Sequence, residues 1–165
     1  MESYQAGLSW EIVLNKREAF REAFFAYDPN RVVEMSNQEL GQLLEHPGLI
    51  RHAAKLYATR SNAQAFLAVV EEFGSFSQYI WSWVADCPLD HPVQSFRNLP
   101  IKTPLSEKLA KDLKKRGFKF LGPVTTYSYL QAAGLLQEHE ATCFIGQEIR
   151  EDSLKGETSL PIANR

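Results

Sequence analysis

The chain has 165 residues, which suits one folded domain, since single domains commonly hold about 100–200 residues. Its 44% hydrophobic and 12% aromatic content can form a core, which excludes a disordered or low-complexity protein. The formal net charge of −2 gives no overall attraction to a polyanion, so any basic site has to be local. Two cysteines are too few for a disulfide framework, and no apolar run approaches the roughly 20 residues of a bilayer span. We therefore expect a monomeric, cytoplasmic protein that does not bind membranes.

Helical patterns fill the first half of the chain. Ser9 is predicted to cap a helix that runs to about Tyr27, and Asp28 before a proline caps the next one. Ser36 begins a capping box for a further helix that Pro47-Gly48 would end. A long helical pattern covers residues 49–73 and a shorter one covers 76–84, with no strand pair in evidence.

The second half continues in the same way after an irregular connection at residues 87–102. Thr103-Pro104 is predicted to open a helix that ends before Gly117, and Pro123 fits the first turn of another. Residues 147–165 are polar and acidic, and we expect them to be a disordered tail. The sequence therefore predicts an all-α protein with one domain at residues 1–146.

The positive charge is concentrated between residues 108 and 119. This stretch has six basic residues and one aspartate, so its net charge is +5 and that of the rest of the chain is −7. A solvated helix surface is one interpretation of such a run. A surface that binds nucleic acid is the other, because salt-sensitive lysine and arginine contacts to phosphates supply most non-specific affinity.

The segment Gly117-Phe118-Lys119-Phe120-Leu121-Gly122 favours the second interpretation, because it predicts a helix-hairpin-helix. Gly117 lets the chain reverse, and Gly122 lets the backbone approach a ligand. Free N–H groups at the start of the next helix can then bind a phosphate. Without a ligand, the same pattern describes an ordinary hairpin of two helices.

A second candidate site lies near the start of the chain, where Glu2 precedes Leu8 and Trp10. A carboxylate beside an aromatic face can hold a flat cationic heterocycle by charge and by stacking. Trp10 also fits the role of a core residue on spacing alone.

These segments occur in an order that resembles a known family. The segments that carry the resemblance are QAGLSW at residues 5–10, Val13-Leu14, KRE at 16–18, Asp28-Pro29, LIRH at 49–52, Asn62-Ala63, WSWV at 81–84, LKKRGFKFLG at 113–122 and YSYLQAAGL at 127–135. Together they resemble DNA-3-methyladenine glycosylase I, a bacterial alkylation-repair family of the helix-hairpin-helix superfamily, over about residues 2–145.

The resemblance implies base-excision repair of double-stranded DNA. An alkylated purine, chiefly 3-methyladenine, would be turned out of the duplex and its N-glycosidic bond hydrolysed. By this resemblance Glu2 is the catalytic carboxylate that recognises the base, Trp10 stacks on it, and Leu8 enters the gap in the duplex. The DNA-binding hairpin would use the residues Lys115, Arg116, Gly117, Lys119 and Gly122.

The region after the hairpin also bears on the reaction. Between Asp112 and Asp152 the chain has no aspartate, and between Lys119 and Lys155 it has no lysine. Many hairpin glycosylases place a catalytic aspartate there, and lyases place a nucleophilic lysine there, whereas the family that this chain resembles lacks that aspartate. A monofunctional hydrolase is therefore expected.

His139 and Cys143, four residues apart, could meet one cation, since imidazole and thiolate both suit zinc. By spacing alone they are more simply two structural residues. The resemblance implies a structural zinc site whose other two ligands, with pocket aromatics, precede Glu2. We expect this chain to lack that segment, which leaves two open alternatives: a catalytically impaired DNA-binding remnant, and a helical protein-interaction module.

Overall fold

The computed structural model describes residues 1–5 and 7–154, without the side chains of 152–154. Its α-helices are α1 (Glu2–Gln5), α2 (Trp10–Asn15), α3 (Arg17–Ala23), α4 (Pro29–Val33), α5 (Asn37–Gln42), α6 (Ala53–Phe73), α7 (Phe76–Ser82), α8 (Pro104–Lys115), α9 (Pro123–Ala132) and α10 (Phe144–Leu154). Two short 3₁₀ turns lie at Phe25–Tyr27 and Phe96–Asn98. The mostly helical fold that the sequence predicts is confirmed.

The predicted helix caps are present. The side chains of Ser9 and Asp28 accept hydrogen bonds from backbone N–H groups at the starts of α2 and α4. Ser36 forms the predicted capping box with Glu39. Thr103 caps α8 with Pro104 in the first turn, so local polar residues fix where these helices begin.

Several helices differ in extent from the expectation, including α7, which ends at Ser82 rather than at Val84. The helix predicted from Ser9 to Tyr27 is interrupted at Lys16, and the separate helix α3 buries Phe20. Helix α5 ends at Gln42 rather than at Pro47-Gly48. The long helix α6 begins only at Ala53, because the His52 side chain accepts a hydrogen bond from the Lys55 N–H and caps it.

The expectation that the chain has no strand pair is wrong. Strand β1 (Leu89–Asp90) and strand β2 (Leu136–Gln137) form a parallel pair, and an isolated bridge between Val93 and Glu140 extends it. Backbone bonds from Leu89 N–H to the Leu135 oxygen, 2.9 Å, and from His91 N–H to the Gln137 oxygen, 2.9 Å, tie the irregular connection to the segment after α9.

Two apolar clusters form the core, and α6 contributes to both. The first lies between α6, α7, α8 and α9 and includes Val69, Tyr79, Leu109 and Leu130. The second lies between α6 and the helices of the first 50 residues, and it includes Leu56. Helix α6 is therefore the element that joins the two halves of the molecule.

The chain remains helical past Gln147, where the sequence predicts the start of a tail. Helix α10 continues to Leu154, while residues 155–165 of the predicted disordered tail lie outside the described residues. None of the helices in the described ranges is long and apolar enough to cross a membrane.

Candidate nucleic-acid interface and base-recognition site

The turn between α8 and α9 is a hairpin built on one glycine. Gly117 follows the last residues of α8 and has φ +97°, a left-handed conformation that L side chains rarely adopt. The N–H groups of Gly117 and Phe118 bond to the Lys114 and Leu113 carbonyls at 3.1 and 3.0 Å, which is a Schellman motif. The Phe118 side chain is buried in the first cluster, so the hairpin is anchored from below.

Neither the backbone conformation at position 122 nor the packing around it requires a glycine at the start of α9. The φ of Gly122 is −74°, and a Cβ atom added there would meet nothing within 4 Å. Because Pro123 follows it and has no N–H, the first turn of α9 presents its donors from Val124 onward. The missing side chain leaves open space beside these donors.

Basic side chains surround the hairpin. A cavity of about 780 Å³ beside it is lined by Lys111, Lys114 and Lys119 together with Glu107. Lys115 is exposed at the end of α8. The local concentration of positive charge that the sequence indicates therefore lies along α8 and the hairpin.

Arg116 differs from these lysines because its guanidinium is hydrogen-bonded within the molecule. Its Nε donates to Asp112 Oδ2 at 2.7 Å, and its Nη1 donates to Glu72 Oε2 at 2.7 Å. The guanidinium also lies 4.9 Å from the Phe73 ring centre and 5.0 Å from that of Tyr79. These carboxylates raise the pKa of Arg116, so the guanidinium is held as an ion that joins α6, α7 and α8.

Asn62 on α6 holds the tip of the hairpin. Its Oδ1 accepts from the Lys119 N–H at 2.8 Å and its Nδ2 donates to the Lys119 carbonyl at 3.1 Å. The next residue, Phe120, has φ +59° and is 40% exposed, with the His52 ring edge-on to it. A bulky residue with a positive φ is strained, and it keeps this conformation only where the surrounding structure holds it in place.

Glu2 lies on α1, which packs against both α2 and α9. Burial raises the pKa of the Glu2 carboxyl, so its ionised form gains from a nearby cation. Trp10 is 40% exposed, which excludes the interpretation of this indole as a core residue. Leu8 is half-buried in the turn between them, where Gly7 has φ +81°.

Tyr4 is the buried anchor of α1. Its hydroxyl donates to the Lys55 carbonyl at 3.1 Å and lies 2.6 Å from Thr59 Oγ1, and burial raises its pKa to about 12. In return, the buried Lys55 ammonium donates to the Tyr4 carbonyl at 3.1 Å, and burial lowers the pKa of Lys55. Helix α1 is thus fixed to α6 two residues from Glu2.

An apolar cavity of about 370 Å³ lies between α1, α6 and the hairpin. Ser3 and Tyr4 line it from α1, Asn62 from α6, and Phe118 and Leu121 from the hairpin. Neither Glu2 nor Trp10 is among its lining residues, although Glu2 lies between Met1 and Ser3, which both line it.

Glu138 is a carboxylate after the hairpin that the superfamily pattern does not indicate, because that pattern has an aspartate. Its Oε2 accepts from the Tyr127 hydroxyl and from Gln131 Nε2, the latter at 2.7 Å. These bonds engage the carboxylate in joining α9 to the segment after β2.

His139 and Cys143 are brought together as their spacing suggests. Cys143 Sγ lies 3.6 Å from His139 Nδ1, between β2 and α10. In the described part of the chain, however, no group of three or more His, Cys, Asp or Glu side chains could hold a metal ion. These residues alone therefore do not make up a complete zinc site, which needs four ligands.

Comparisons with known proteins show which family the chain resembles. A family model described as methyladenine glycosylase matches residues 1–146. The DNA-3-methyladenine glycosylase of Haemophilus influenzae is 44% identical over 143 residues, which are 87% of this chain and 77% of that protein.

Solved structures give the same result. A crystal structure of 3-methyladenine DNA glycosylase I has a TM-score of 0.82 at 45% identity, over 87% of this chain and 79% of the other. A variant of such an enzyme in complex with 3-methyladenine has a TM-score of 0.84 at 40% identity, over 87% and 77%. With this shared fold and identity, the chain belongs to the methyladenine glycosylase family.

Proposed function

We propose that this chain is a DNA glycosylase that hydrolyses the N-glycosidic bond of alkylated purines, chiefly 3-methyladenine, in double-stranded DNA. The family membership of residues 1–146 is the observation that carries the proposal. The glycine-bounded hairpin beside a lysine-lined cavity supports it, because this arrangement suits a DNA phosphate.

In this proposal Glu2 and Trp10 recognise the base. A 3-alkylated adenine carries positive charge, which makes it a good leaving group without a strong general acid. The exposed indole offers a stacking face, and the Glu2 carboxylate offers the opposite charge in a partly desolvated place. Leu8 would fill the gap that the flipped nucleotide leaves.

The reaction itself is a monofunctional hydrolysis. The C1′–N bond breaks with its electron pair going to the base, which leaves as a neutral purine, and a water oxygen bonds to C1′ and loses a proton. No lysine follows the hairpin before Lys155, so no Schiff-base nucleophile is available at that position.

The hairpin is proposed to act as a helix-hairpin-helix that grips the DNA backbone. Lys115 and Lys119 would add salt-sensitive phosphate contacts, while Gly117 shapes the loop and Gly122 leaves open space beside the N–H donors of α9. Arg116 was predicted to share this role, but its bonds to Asp112 and Glu72 favour a structural one.

We further propose a monomeric protein of the bacterial cytoplasm, in which structural zinc would depend on ligands beyond His139 and Cys143. Those two residues would supply one imidazole and one thiolate.

The decisive experiment measures release of 3-methyladenine from methylated duplex DNA by chromatography. We expect release by the unaltered chain, and a loss of about 10²-fold or more for Glu2→Gln and Trp10→Ala, because both remove recognition of the flipped base. The matched control is Glu11→Gln at an exposed position of α2, which we expect to keep full activity. Full activity in both site variants would remove these residues from the site.

A further inference from the structure

We propose that Lys55, Thr59 and Asn62 form a positioning stripe on α6 that sets the distance between the base-recognition end of the site and the DNA-binding hairpin. The inference rests on the proposed function, and it assigns these three residues a role in holding the site together. They are positioning residues, because they act through Tyr4 and Lys119.

The three residues occupy one face of α6. Spacings of four and three place their side chains above one another along the helix. Seven residues of helix rise by roughly 10 Å, which is the length of the stripe along α6. Most other residues on this side of α6 are apolar, and Ala63 and Phe66 line the same cavity as Asn62.

At one end, the stripe holds the element that carries Glu2. Lys55 Nζ donates to the Tyr4 carbonyl at 3.1 Å, while the Tyr4 hydroxyl lies 2.6 Å from Thr59 Oγ1. Helix α1 has only four residues, so its own hydrogen bonds cannot fix its position. Tyr4, 5% exposed and edge-on to Phe20 at 4.5 Å, transmits the position of α6 to Glu2.

At the other end, the stripe holds the hairpin tip. Asn62 pairs with both the N–H and the carbonyl of Lys119, 57 residues away in the chain. This pairing occupies the Lys119 amide and fixes the peptide before the left-handed Phe120. Because a shift of about 1 Å in a bound substrate can lower a rate substantially, a rigid spacer between the two ends has a direct use.

The first test changes the hairpin end of the stripe with the variant Asn62→Asp. The carboxylate still accepts from the Lys119 N–H but repels its carbonyl, so affinity for a duplex with a tetrahydrofuran abasic analogue should fall about tenfold at neutral pH. As the pH falls, protonation restores a donor, and the affinity relative to the unaltered chain should recover. The control Gln64→Glu makes the same charge change on an exposed position of α6 and should change affinity less than twofold.

The second test addresses the other end with Thr59→Val, which removes one of the two partners of the Tyr4 hydroxyl and leaves its bond to the Lys55 carbonyl. Binding of free 3-methyladenine, followed by calorimetry, should weaken about three- to tenfold while affinity for the abasic duplex stays unchanged. The control Ser61→Ala removes a hydroxyl that bonds only within α6, to the Ala58 carbonyl, and should leave both affinities unchanged.

A third measurement needs no ligand. In Asn62→Ala the Lys119 amide should exchange its hydrogen faster than in the unaltered chain, while the amides of α9 keep their rates. Unchanged Lys119 exchange together with an unchanged DNA affinity of Asn62→Asp would overturn the stripe. An unaltered chain that binds neither ligand would instead overturn the proposed function, so the two failures are distinguishable.

Discussion

At the scale of single residues, burial decides what Glu2 can do. A carboxyl that loses water without gaining a fixed donor prefers its neutral form, and this raises its pKa above the ordinary value of 4.5. The same loss of water strengthens its attraction to a cationic base. In the proposed function, recognition of the base therefore depends on the ionised form of a group that protonates more readily than usual.

This dependence predicts an acid limb in the pH profile of excision. The single-turnover rate on methylated duplex should fall as the pH is lowered through the raised pKa of Glu2, which lies above 4.5. Glu2→Gln should be slow at every pH and lose this limb, because no carboxylate is left to protonate. The control Glu11→Gln should keep the limb, and a limb that persists in Glu2→Gln would assign the titration to another group.

His139 and Cys143 give a second prediction at this scale. Two ligands hold zinc weakly, so metal analysis of the purified 165-residue chain after dialysis should give less than one equivalent. The variant Cys143→Ser should lower even this content, since a hydroxyl is a poor zinc ligand. A full equivalent of zinc would mean that further ligands complete the site.

The helix caps explain why so much local structure could be predicted from the sequence. Asp28 before Pro29 and Thr103 before Pro104 act on the backbone next to them, so their effect is readable without the fold. The pairing of Asn62 with Lys119 could not be predicted in this way. It joins residues 57 positions apart, and Asn62 lies among other polar residues, Thr59, Arg60, Ser61 and Gln64, so nothing local distinguishes it.

At the scale of elements, the hairpin is held by charge as well as by glycine. Arg116 closes α8 and binds carboxylates on α6 and on its own helix, and the Tyr79 hydroxyl donates to the same Asp112 at 2.8 Å. The direction of the hairpin is therefore set by α6 and α7. The sequence placed Arg116 in a run of exposed lysines, and only the fold distinguishes it from them.

This difference predicts opposite outcomes for neighbouring cations. Arg116→Gln should lower the free energy of unfolding by roughly 1–3 kcal/mol, because Asp112 and Glu72 lose a charged partner. The salt dependence of its DNA affinity should keep the same slope. Lys119→Gln should leave stability unchanged and reduce that slope by about 0.9, as expected for one lost phosphate contact.

Urea unfolding and fluorescence anisotropy at several salt concentrations make these measurements, with Lys114→Gln as an exposed control for stability. A reduced slope in Arg116→Gln would show that this residue contacts DNA phosphates.

The strand pair shows the other limit of sequence reasoning at this scale. Leu89–Asp90 and Leu136–Gln137 are too short for alternation between two faces to be visible. Their pairing follows from where α8 and α9 bring the chain, and no local residue type announces it.

At the scale of the whole molecule, α6 makes the two apolar clusters one cooperative unit. Leu56 is buried in one cluster and Val69 in the other, on the same helix. Loss of one cluster would expose one side of α6 and weaken the other cluster. We therefore expect no stable intermediate in which only one half is folded.

Unfolding in urea should accordingly give coincident transitions for circular dichroism and tryptophan fluorescence. Leu56→Ala should lower the free energy of unfolding measured by both probes by the same amount, roughly 2–5 kcal/mol, which is the usual cost of such a cavity. Trp81 and Trp83 report on the first cluster, although Leu56 belongs to the second. Two separate transitions in the variant would show that the clusters unfold independently.

The pairing of β1 with β2 has a consequence for how the molecule could be divided. The segment around Ile101, which is 73% exposed, separates the strand β1 and everything before it from α8 and everything after it. A cut there leaves Glu2 and Trp10 on one fragment and the hairpin on the other. The parallel strands, the shared cluster and the pairing of Asn62 with Lys119 would all join the two fragments. Damage recognition and backbone binding would then become properties of a noncovalent heterodimer, and excision would report its assembly.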